Sequence, residues 1–282
     1  MPYFDGFAPL AARYDGFILD LWGVIHDGVT PYPGAVDCLR RLREAGKPAV
    51  LLSNAPRRAA AAAAAMRAMG IADDLYTGII TSGEVTHLLL RDRFLPAFAG
   101  LGRRLYHLGP ERDRNVFADL DVEPVARPDA ADFLLNTGPD DLRSPTSVAP
   151  YEAELHACLA AGLPMVCANP DLEVIRGGQR LICAGTLALL YEERGGTVLW
   201  VGKPDPLVYQ PVLELLGLPP TRVLAVGDSL RTDIAGARAS GVPSCWVLGG
   251  IHDGEFPTFE AAEAAARLAG LAPAAIVPAF RW

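Results

Sequence analysis

Short apolar runs recur along the chain and alternate with longer segments of helical character. Apolar runs of this kind are typical of buried strands, and strands that alternate with helices form βαβ units and parallel sheets. The predicted strands are residues 17–20, 48–52, 78–81, 104–108, 132–136, 164–168, 197–201, 222–226 and 242–248. The predicted helices are residues 34–46, 56–69, 150–161, 184–194, 206–216 and 231–240. The pattern therefore predicts an α/β fold class built on a parallel sheet.

Polar residues follow predicted strands near the two ends of the chain, whereas the middle third has few of them. They are Asp20, Ser53–Asn54, Lys203 and Asp228. Ligands of open parallel sheets bind beyond the carboxyl ends of the strands, so these side chains can converge on one crevice. We therefore expect a discontinuous core domain, residues 1–80 and 197–282, around an inserted domain of ordinary size, residues 81–196.

Composition narrows the classes of function. The chain of 282 residues is 51% hydrophobic, has a net charge of −8, and contains no long basic run. These features argue against a partner that is nucleic acid or an anionic membrane. We expect no signal peptide, and no window approaches the roughly 18 apolar residues of a membrane span. The five scattered cysteines lack a Cys-x-x-Cys pair and are typical of reduced thiols, so we expect a cytoplasmic protein.

Three aspartates form a candidate metal site. Asp228 ends a predicted strand, Asp233 follows near a helix start, and Asp20 ends the first strand. Carboxylates so arranged can supply oxygen ligands for Mg²⁺. The alternative is that Asp228 and Asp233 only cap a helix, where the helix dipole favours them.

Two further segments could hold a phosphate. Lys203 follows an apolar strand and could face a phosphate as a point charge, although Pro204 and the missing upstream glycine exclude a P-loop. Ser53 and Asn54 precede a helix start, where a hydroxyl and free N–H groups can bind an anion. The alternatives are a solvated surface lysine and a plain helix cap.

The order of these segments resembles that of the haloacid dehalogenase-like (HAD) superfamily. An aspartate with a glycine turn comes first, then Ser-Asn, then Gly-Lys-Pro, then Gly-Asp-x₄-Asp. The stretches VCANPD (166–171) and VGKPDP (201–206) are similar to those of the class IIA branch, which includes nucleotide, sugar-phosphate and pyridoxal-phosphate phosphatases. The resemblance implies a Rossmann-like parallel-sheet core with an inserted α/β cap. It also suggests that two copies of the chain pair through the cap, because class IIA relatives often pair there.

The resemblance also implies roles for individual residues. Asp20 would be the nucleophile that forms an aspartyl-phosphate, and Lys203 would neutralise charge between it and the phosphoryl group. Ser53 would hold a phosphoryl oxygen, assisted by the backbone at Asn54, and Gly23 in the turn after Asp20 would be a further substrate contact. Positive charge is what an anionic nucleophile needs in order to attack an anionic phosphate, so the assembly is chemically sensible.

The same resemblance implies a Mg²⁺ site. Asp228 would bind the ion directly and Asp233 through water, while Asp20 and the backbone carbonyl of Trp22 would complete the protein ligands. Together with the nucleophile, this site implies Mg²⁺-dependent hydrolysis of a small phosphorylated metabolite.

The inserted domain should select the substrate. Asn136 ends one of its strands and Gly185 opens one of its helices, so both are candidates to face the crevice. A strand–loop boundary and an ordinary helix start explain them equally well.

Trp22 departs from the family pattern. The family's phosphatases carry a second aspartate there, which protonates the leaving oxygen, and such general acid–base catalysis is worth roughly 10²–10⁴-fold. His26 could supply the proton, or it could only hydrogen-bond its own loop. Alternatively, the substrate has a good leaving group, or the protein binds a phosphorylated ligand without turnover. A hydrolytic dehalogenase is a further alternative, but the retained Asp228 and Asp233 argue against it.

Overall fold

The computed structural model describes all 282 residues and contains thirteen strands. In chain order the strands are β1 (Gly16–Leu19), β2 (Ala49–Ser53), β3 (Gly78–Thr81), β4 (Arg104–Leu108), β5 (Glu123–Val125), β6 (Phe133–Asn136), β7 (Met165–Cys167), β8 (Glu173–Arg176), β9 (Gln179–Ile182), β10 (Val198–Trp200), β11 (Val223–Gly227), β12 (Ser244–Val247) and β13 (Ala275–Val277). Six form a parallel core sheet in the order β13-β12-β11-β1-β2-β3. Five form a separate parallel cap sheet in the order β10-β7-β6-β4-β5, and β8 pairs with β9 in an antiparallel hairpin.

Ten α-helices connect these strands. They are α1 (Ala8–Ala11), α2 (Ala35–Glu44), α3 (Ala59–Ala68), α4 (Ser82–Asp92), α5 (Pro96–Ala99), α6 (Glu152–Ala160), α7 (Ala184–Glu193), α8 (Gln210–Leu216), α9 (Ala235–Ala239) and α10 (Phe259–Leu268). The alanine-rich α3 follows from the high helix propensity of alanine, and Gly70 beyond it has a positive φ. None of the helices combines the length and the apolar character that crossing a membrane requires.

The α/β fold class predicted from the sequence is confirmed. Strands β1, β2 and β11 at the centre of the core sheet are buried along their whole length, as their continuous apolar sequences require. Each of the nine predicted strands and six predicted helices has a counterpart. The strand β10, however, pairs with β7 in the cap sheet, so the expected boundary at residue 197 falls before a cap strand.

Apolar side chains join the two sheets. One buried cluster contains Val50 and Leu52 of β2 together with Leu105 of β4 and Phe133 of β6. The relative position of core and cap therefore depends on shared apolar packing, which stabilises by roughly 25 cal/mol per Å² of apolar surface buried.

Candidate active site

Three carboxylates converge at the carboxyl ends of the central core strands. β1 and β11 are parallel neighbours in register, so Asp20 and Asp228, which follow them, lie side by side. Asp233 lies in the single π-helical turn Leu230–Ile234. One oxygen of each carboxylate lies within 4.8 Å of the others, and all three residues are buried. The parallel register therefore brings the beginning and the end of the chain to one site.

Lys203 lies between two of these carboxylates. Its Nζ donates to Asp20 Oδ1 at 2.8 Å, to Asp233 Oδ1 at 2.7 Å and to the Leu52 carbonyl at 3.2 Å. Burial acts to lower the pKa of this lysine, but the nearby Asp20 and Asp233 raise it well above its usual value. Lys203 is therefore a charged ammonium whose three donors are all satisfied within the protein.

One lysine does not balance three carboxylates. Burial raises the pKa of Asp20 to about 8, repulsion from Asp233 adds to this, and Lys203 opposes it. Burial and repulsion from Asp20 likewise raise the pKa of Asp228. Close carboxylate oxygens with excess negative charge are the donor set that a hard divalent cation prefers, so these residues fit Mg²⁺.

Glycines allow the backbone to approach the carboxylates. The Ile251 N–H donates to Asp228 Oδ2 at 2.8 Å. A Cβ on Gly23 or Gly250, both with positive φ, would lie 1.8 Å or 2.0 Å from the same oxygen. Gly23, a candidate substrate contact in the sequence, therefore packs against Asp228 and does not line the cavity that contains Asp20.

Ser53 and Asn54 follow β2 and are both buried. The Ser53 Oγ accepts from the Ala55 N–H at 3.2 Å. The Asn54 side chain accepts from the Lys203 N–H at 2.8 Å and donates to Asp171 Oδ1 at 2.9 Å. Asn54 thus links the lysine segment of the core to a loop of the cap.

Two cavities meet at Trp22. The first, here called the aspartate cavity, has a volume of about 550 Å³ and is lined by Asp20, Asp228 and Asp233. The second, here called the arginine cavity, has a volume of about 270 Å³ and is lined by Arg57, Arg112, Arg143 and Arg176, among others. Trp22, Asp171 and Val174 line both, so a molecule that crosses from one cavity to the other passes these three residues.

The structure does not bring His26 into either cavity. Its Nδ1 accepts from the Gly28 N–H at 3.0 Å, and its ring contacts the edge of Trp22 at a centroid distance of 5.2 Å. Burial lowers the pKa of His26 to about 4, so the imidazole is neutral at physiological pH. His26 supports the turn after β1 and is not positioned to protonate a leaving group at Asp20.

The two candidate cap residues have supporting positions. Asn136 is fully buried, donates to the Ala184 carbonyl at 2.9 Å and accepts from the Gly138 N–H at 3.0 Å. Gly185 lies so close to the Pro170 carbonyl that a Cβ would come within 2.4 Å of it. Neither residue lines the aspartate cavity or the arginine cavity, because the strand end and the helix start turn these positions towards neighbouring backbone.

The sequence did not identify three candidate functional residues, Asp171, Arg57 and Asp113. Asp171 ends the stretch VCANPD, which carried the family resemblance but was given no role. Arg57 Nε and Asp113 Oδ1 lie 3.8 Å apart, and both atoms are buried without a hydrogen bond. No local pattern marks this pair, because Arg57 belongs to the core and Asp113 to the cap.

Comparison with known proteins agrees with this architecture. Residues 17–123 match the family model described as haloacid dehalogenase-like hydrolase, and residues 200–279 match a HAD-hydrolase-like model. Chronophin of Rattus norvegicus is 30% identical over 84% of this chain and 77% of its own length. D-glycerol 3-phosphate phosphatase of Mycobacterium tuberculosis is 31% identical over 86% of this chain and 65% of its own.

Among solved structures, a haloacid dehalogenase-like hydrolase from Brucella suis 1330 aligns with a TM-score of 0.83 and 30% identity. The alignment covers 99% of this chain and all of that one. The sequence homologues include HAD-family phosphatases. The chain therefore belongs to the haloacid dehalogenase-like hydrolases, in the class IIA branch that includes NagD and chronophin.

Proposed function

We propose that this protein is a Mg²⁺-dependent phosphohydrolase that cleaves a small phosphorylated metabolite through an aspartyl-phosphate on Asp20. The observation that carries the proposal is the state of the Asp20 carboxylate. Its Oδ1 accepts from the Leu21 N–H and from Lys203 Nζ, both at 2.8 Å, whereas Oδ2 accepts no hydrogen bond from the protein. One oxygen is thus fixed while the other is free to attack in an open cavity.

The surrounding residues complete the proposed chemistry. Mg²⁺ held by Asp20, Asp228, Asp233 and the Trp22 carbonyl would neutralise negative charge on the phosphoryl group. Lys203 lowers the repulsion between the Asp20 carboxylate and the phosphate that approaches it. The Ser53 hydroxyl, whose oxygen already accepts from Ala55, retains its proton for a phosphoryl oxygen.

The two cavities suggest where each part of the substrate binds. The phosphoryl group would occupy the aspartate cavity, and the organic part would extend past Trp22 into the arginine cavity. A volume of about 270 Å³ lined by four arginines and four aspartates suits a compact polar group. The relative named D-glycerol 3-phosphate phosphatase is consistent with such a substrate.

Trp22 also favours a second candidate function, a phospho-ligand-binding pseudoenzyme. An indole at this position cannot transfer a proton, although its backbone carbonyl is still able to bind a cation. Hydrolytic dehalogenation is disfavoured, because such chemistry leaves the cluster of Asp228 and Asp233 without a purpose.

Phosphate release separates the two functions. The protein is incubated with Mg²⁺ and para-nitrophenyl phosphate, and separately with acetyl phosphate. We expect release of inorganic phosphate that is lost in Asp20→Asn and retained in Asp253→Asn, which alters an exposed aspartate whose side chain makes no hydrogen bond. Absence of release from both compounds, with measurable binding of either, would establish the pseudoenzyme instead.

We also propose that the chain divides into a core and an inserted cap, as the sequence suggested. Residues 1–80 and the last part of the chain form the core, and the residues between them form the cap. Since β10 belongs to the cap sheet, we propose that the second boundary lies after Trp200. A homodimer through the cap stays a prediction, which light scattering of the purified protein would test.

A further inference from the structure

The proposed phosphatase reaction needs a proton donor for the leaving group, and no residue has yet been assigned to this role. Transfer of the phosphoryl group to Asp20 releases an alkoxide, and an alkoxide is a poor leaving group unless it receives a proton. Trp22 cannot donate one, and His26 lies outside both cavities. The following inference rests on the proposed function and asks which side chain supplies this proton.

The aspartate cavity contains few titratable groups that could do so. Apart from Asp171, they are Asp20, Asp228, Asp233, Glu173, Arg231 and His252. The first three belong to the nucleophile and cation site. Glu173 is paired with Arg180 at 2.7 Å, and His252 is paired with Glu255 at 2.6 Å. An arginine does not lose its proton at physiological pH. Asp171 is the group that remains.

Asp171 is held in a position suited to the task. It lies in the cap loop after β7, where its N–H donates to the Asn169 side chain at 2.9 Å and its Oδ1 accepts from Asn54 at 2.9 Å. Its Oδ2 has no hydrogen-bond partner in the protein and is not sealed from solvent. The carboxyl group is thus fixed by one oxygen and open at the other, in the wall that both cavities share.

Asp171 also lies on the route that we propose for the leaving group. Asp20 attacks phosphorus from the core, and in-line transfer expels the leaving oxygen on the opposite side. The cap loop that carries Asp171 lines the passage into the arginine cavity, where the organic part of the substrate would lie.

Charges around Asp171 are compatible with a proton on it. Burial raises the pKa of Asp171 above its usual value, and Asp233 adds to this effect. Lys203, Arg231 and the hydrogen bond from Asn54 oppose it. The net effect is a raised pKa, which is the direction that a general acid requires.

We propose that Asp171 is the general acid and base that replaces the absent aspartate at position 22. In the first step Asp20 Oδ2 bonds to phosphorus, the bond from phosphorus to the leaving oxygen breaks, and the Asp171 proton moves to that oxygen. The alcohol departs and Asp171 becomes a carboxylate. In the second step Asp171 takes a proton from the water that attacks phosphorus, the bond to Asp20 breaks, and inorganic phosphate forms. Water enters from the side that the alcohol has left, so one carboxyl serves both steps.

The test is the dependence of the rate on the leaving group in Asp171→Asn. The kcat/KM value, which reports steps up to formation of the aspartyl-phosphate, is measured for acetyl phosphate, para-nitrophenyl phosphate and glycerol 3-phosphate. We expect a loss of about 10²–10⁴-fold with the alkyl ester and less than about 10-fold with the other two. With para-nitrophenyl phosphate we also expect a burst of one nitrophenolate per active site, because the second step loses its base.

The matched control is Glu173→Gln, which neutralises a neighbouring acid in the same cavity and should keep the leaving-group dependence of the unmodified protein. An equal loss for all three compounds in Asp171→Asn, without a burst, would overturn the proposal and leave Asp171 a structural anchor for Asn54. If the Asn variant does not fold, Asp171→Ser takes its place with the same expected slope. Failure of the unmodified protein to release phosphate from any compound would instead refute the proposed function.

Discussion

Lys203 is the residue on which the charge balance of the site depends. It contacts two of the three buried carboxylates, and its side chain is 2% exposed. Removing one partner of a buried ion pair leaves uncompensated charge and costs roughly 3–5 kcal/mol. We expect Lys203→Met to lower the free energy of unfolding at pH 8 by about this amount, as measured by urea denaturation without added metal.

The deficit in Lys203→Met should depend on pH. Burial already raises the pKa of Asp20 to about 8, and loss of the lysine raises it further. An acid with a raised folded-state pKa binds its proton more tightly when folded, so its destabilising effect grows as pH rises from the unfolded value near 4. The unmodified protein follows the same trend up to about pH 8, where its own Asp20 ionises, so the extra deficit of Lys203→Met should grow between pH 7 and pH 9. The control is Lys47→Met, which alters the chain's other lysine at a half-buried position; a deficit of equal size there, or one independent of pH, would contradict this account.

The sequence predicts residues of the site that follow core strands better than those in loops. Asp20 and Asp228 come together because the parallel strands β1 and β11 deliver their carboxyl ends to one edge of the core sheet, and Asp233 follows in the next helical turn. Lys203 follows the cap strand β10 and reaches the same site. Asp171 could not be assigned in this way, because its position depends on how the cap docks onto the core. The same limitation applies to His26, whose titration range suggested a role that its burial does not support.

At the scale of elements, the turn after β1 determines where Asp228 lies. Gly23 has φ +79° and leaves no space for a Cβ beside Asp228 Oδ2. Any L-residue at a left-handed position costs roughly 1–2 kcal/mol, and Gly23→Ala must also displace the carboxylate. Because a misplacement of about 1 Å in a site can cost 10²-fold in rate, we expect Gly23→Ala to lower kcat/KM by about that factor and to weaken Mg²⁺ binding, measured by calorimetry.

Gly46→Ala is the matched control for this turn. Gly46 has φ +68°, but a Cβ there would meet no atom within 4 Å. It should therefore pay the same backbone strain and lose about the same stability, while kcat/KM and Mg²⁺ affinity stay unchanged. Equal effects of the two substitutions on activity would mean that the turn does not position Asp228.

Elements with a strong apolar period were predictable, and short or polar ones were not. The strand β5 has three residues, includes Pro124 and lies at the edge of the cap sheet. The hairpin of β8 and β9 consists of strands without a buried residue and with charged residues in both. Its sequence gives little indication of a strand, because it does not bury a full apolar face. Yet Val174 and Arg176 of this hairpin line the arginine cavity, so an unpredicted element contributes to the proposed substrate site.

At the scale of the whole molecule, the contact between core and cap forms the arginine cavity. Arg57 follows β2 in the core and faces Asp113 of the cap, and neither Arg57 Nε nor Asp113 Oδ1 has a hydrogen bond. Burial raises the pKa of Asp113 to about 6, so this pair is weakly compensated. The terminal nitrogens of Arg57 also make no hydrogen bond within the protein and, unlike Nε, are not sealed from solvent, so they are available to a polar group of the substrate.

Arg57→Met should therefore weaken binding of substrates that reach the arginine cavity. A hydrogen bond to a charged group is worth roughly 1.5–3 kcal/mol, which corresponds to about 10–100-fold in affinity. If Arg57 binds ground state and transition state alike, KM for glycerol 3-phosphate rises by this factor and kcat is unchanged. Acetyl phosphate, whose acetyl group is too short to pass Trp22, should show less than about a threefold change.

Arg58→Met tests the interpretation, because Arg58 pairs with Glu84 and lines neither cavity. A matching rise in KM for Arg58→Met, or for acetyl phosphate with Arg57→Met, would assign the effect to general electrostatics and not to a contact made across the boundary between core and cap.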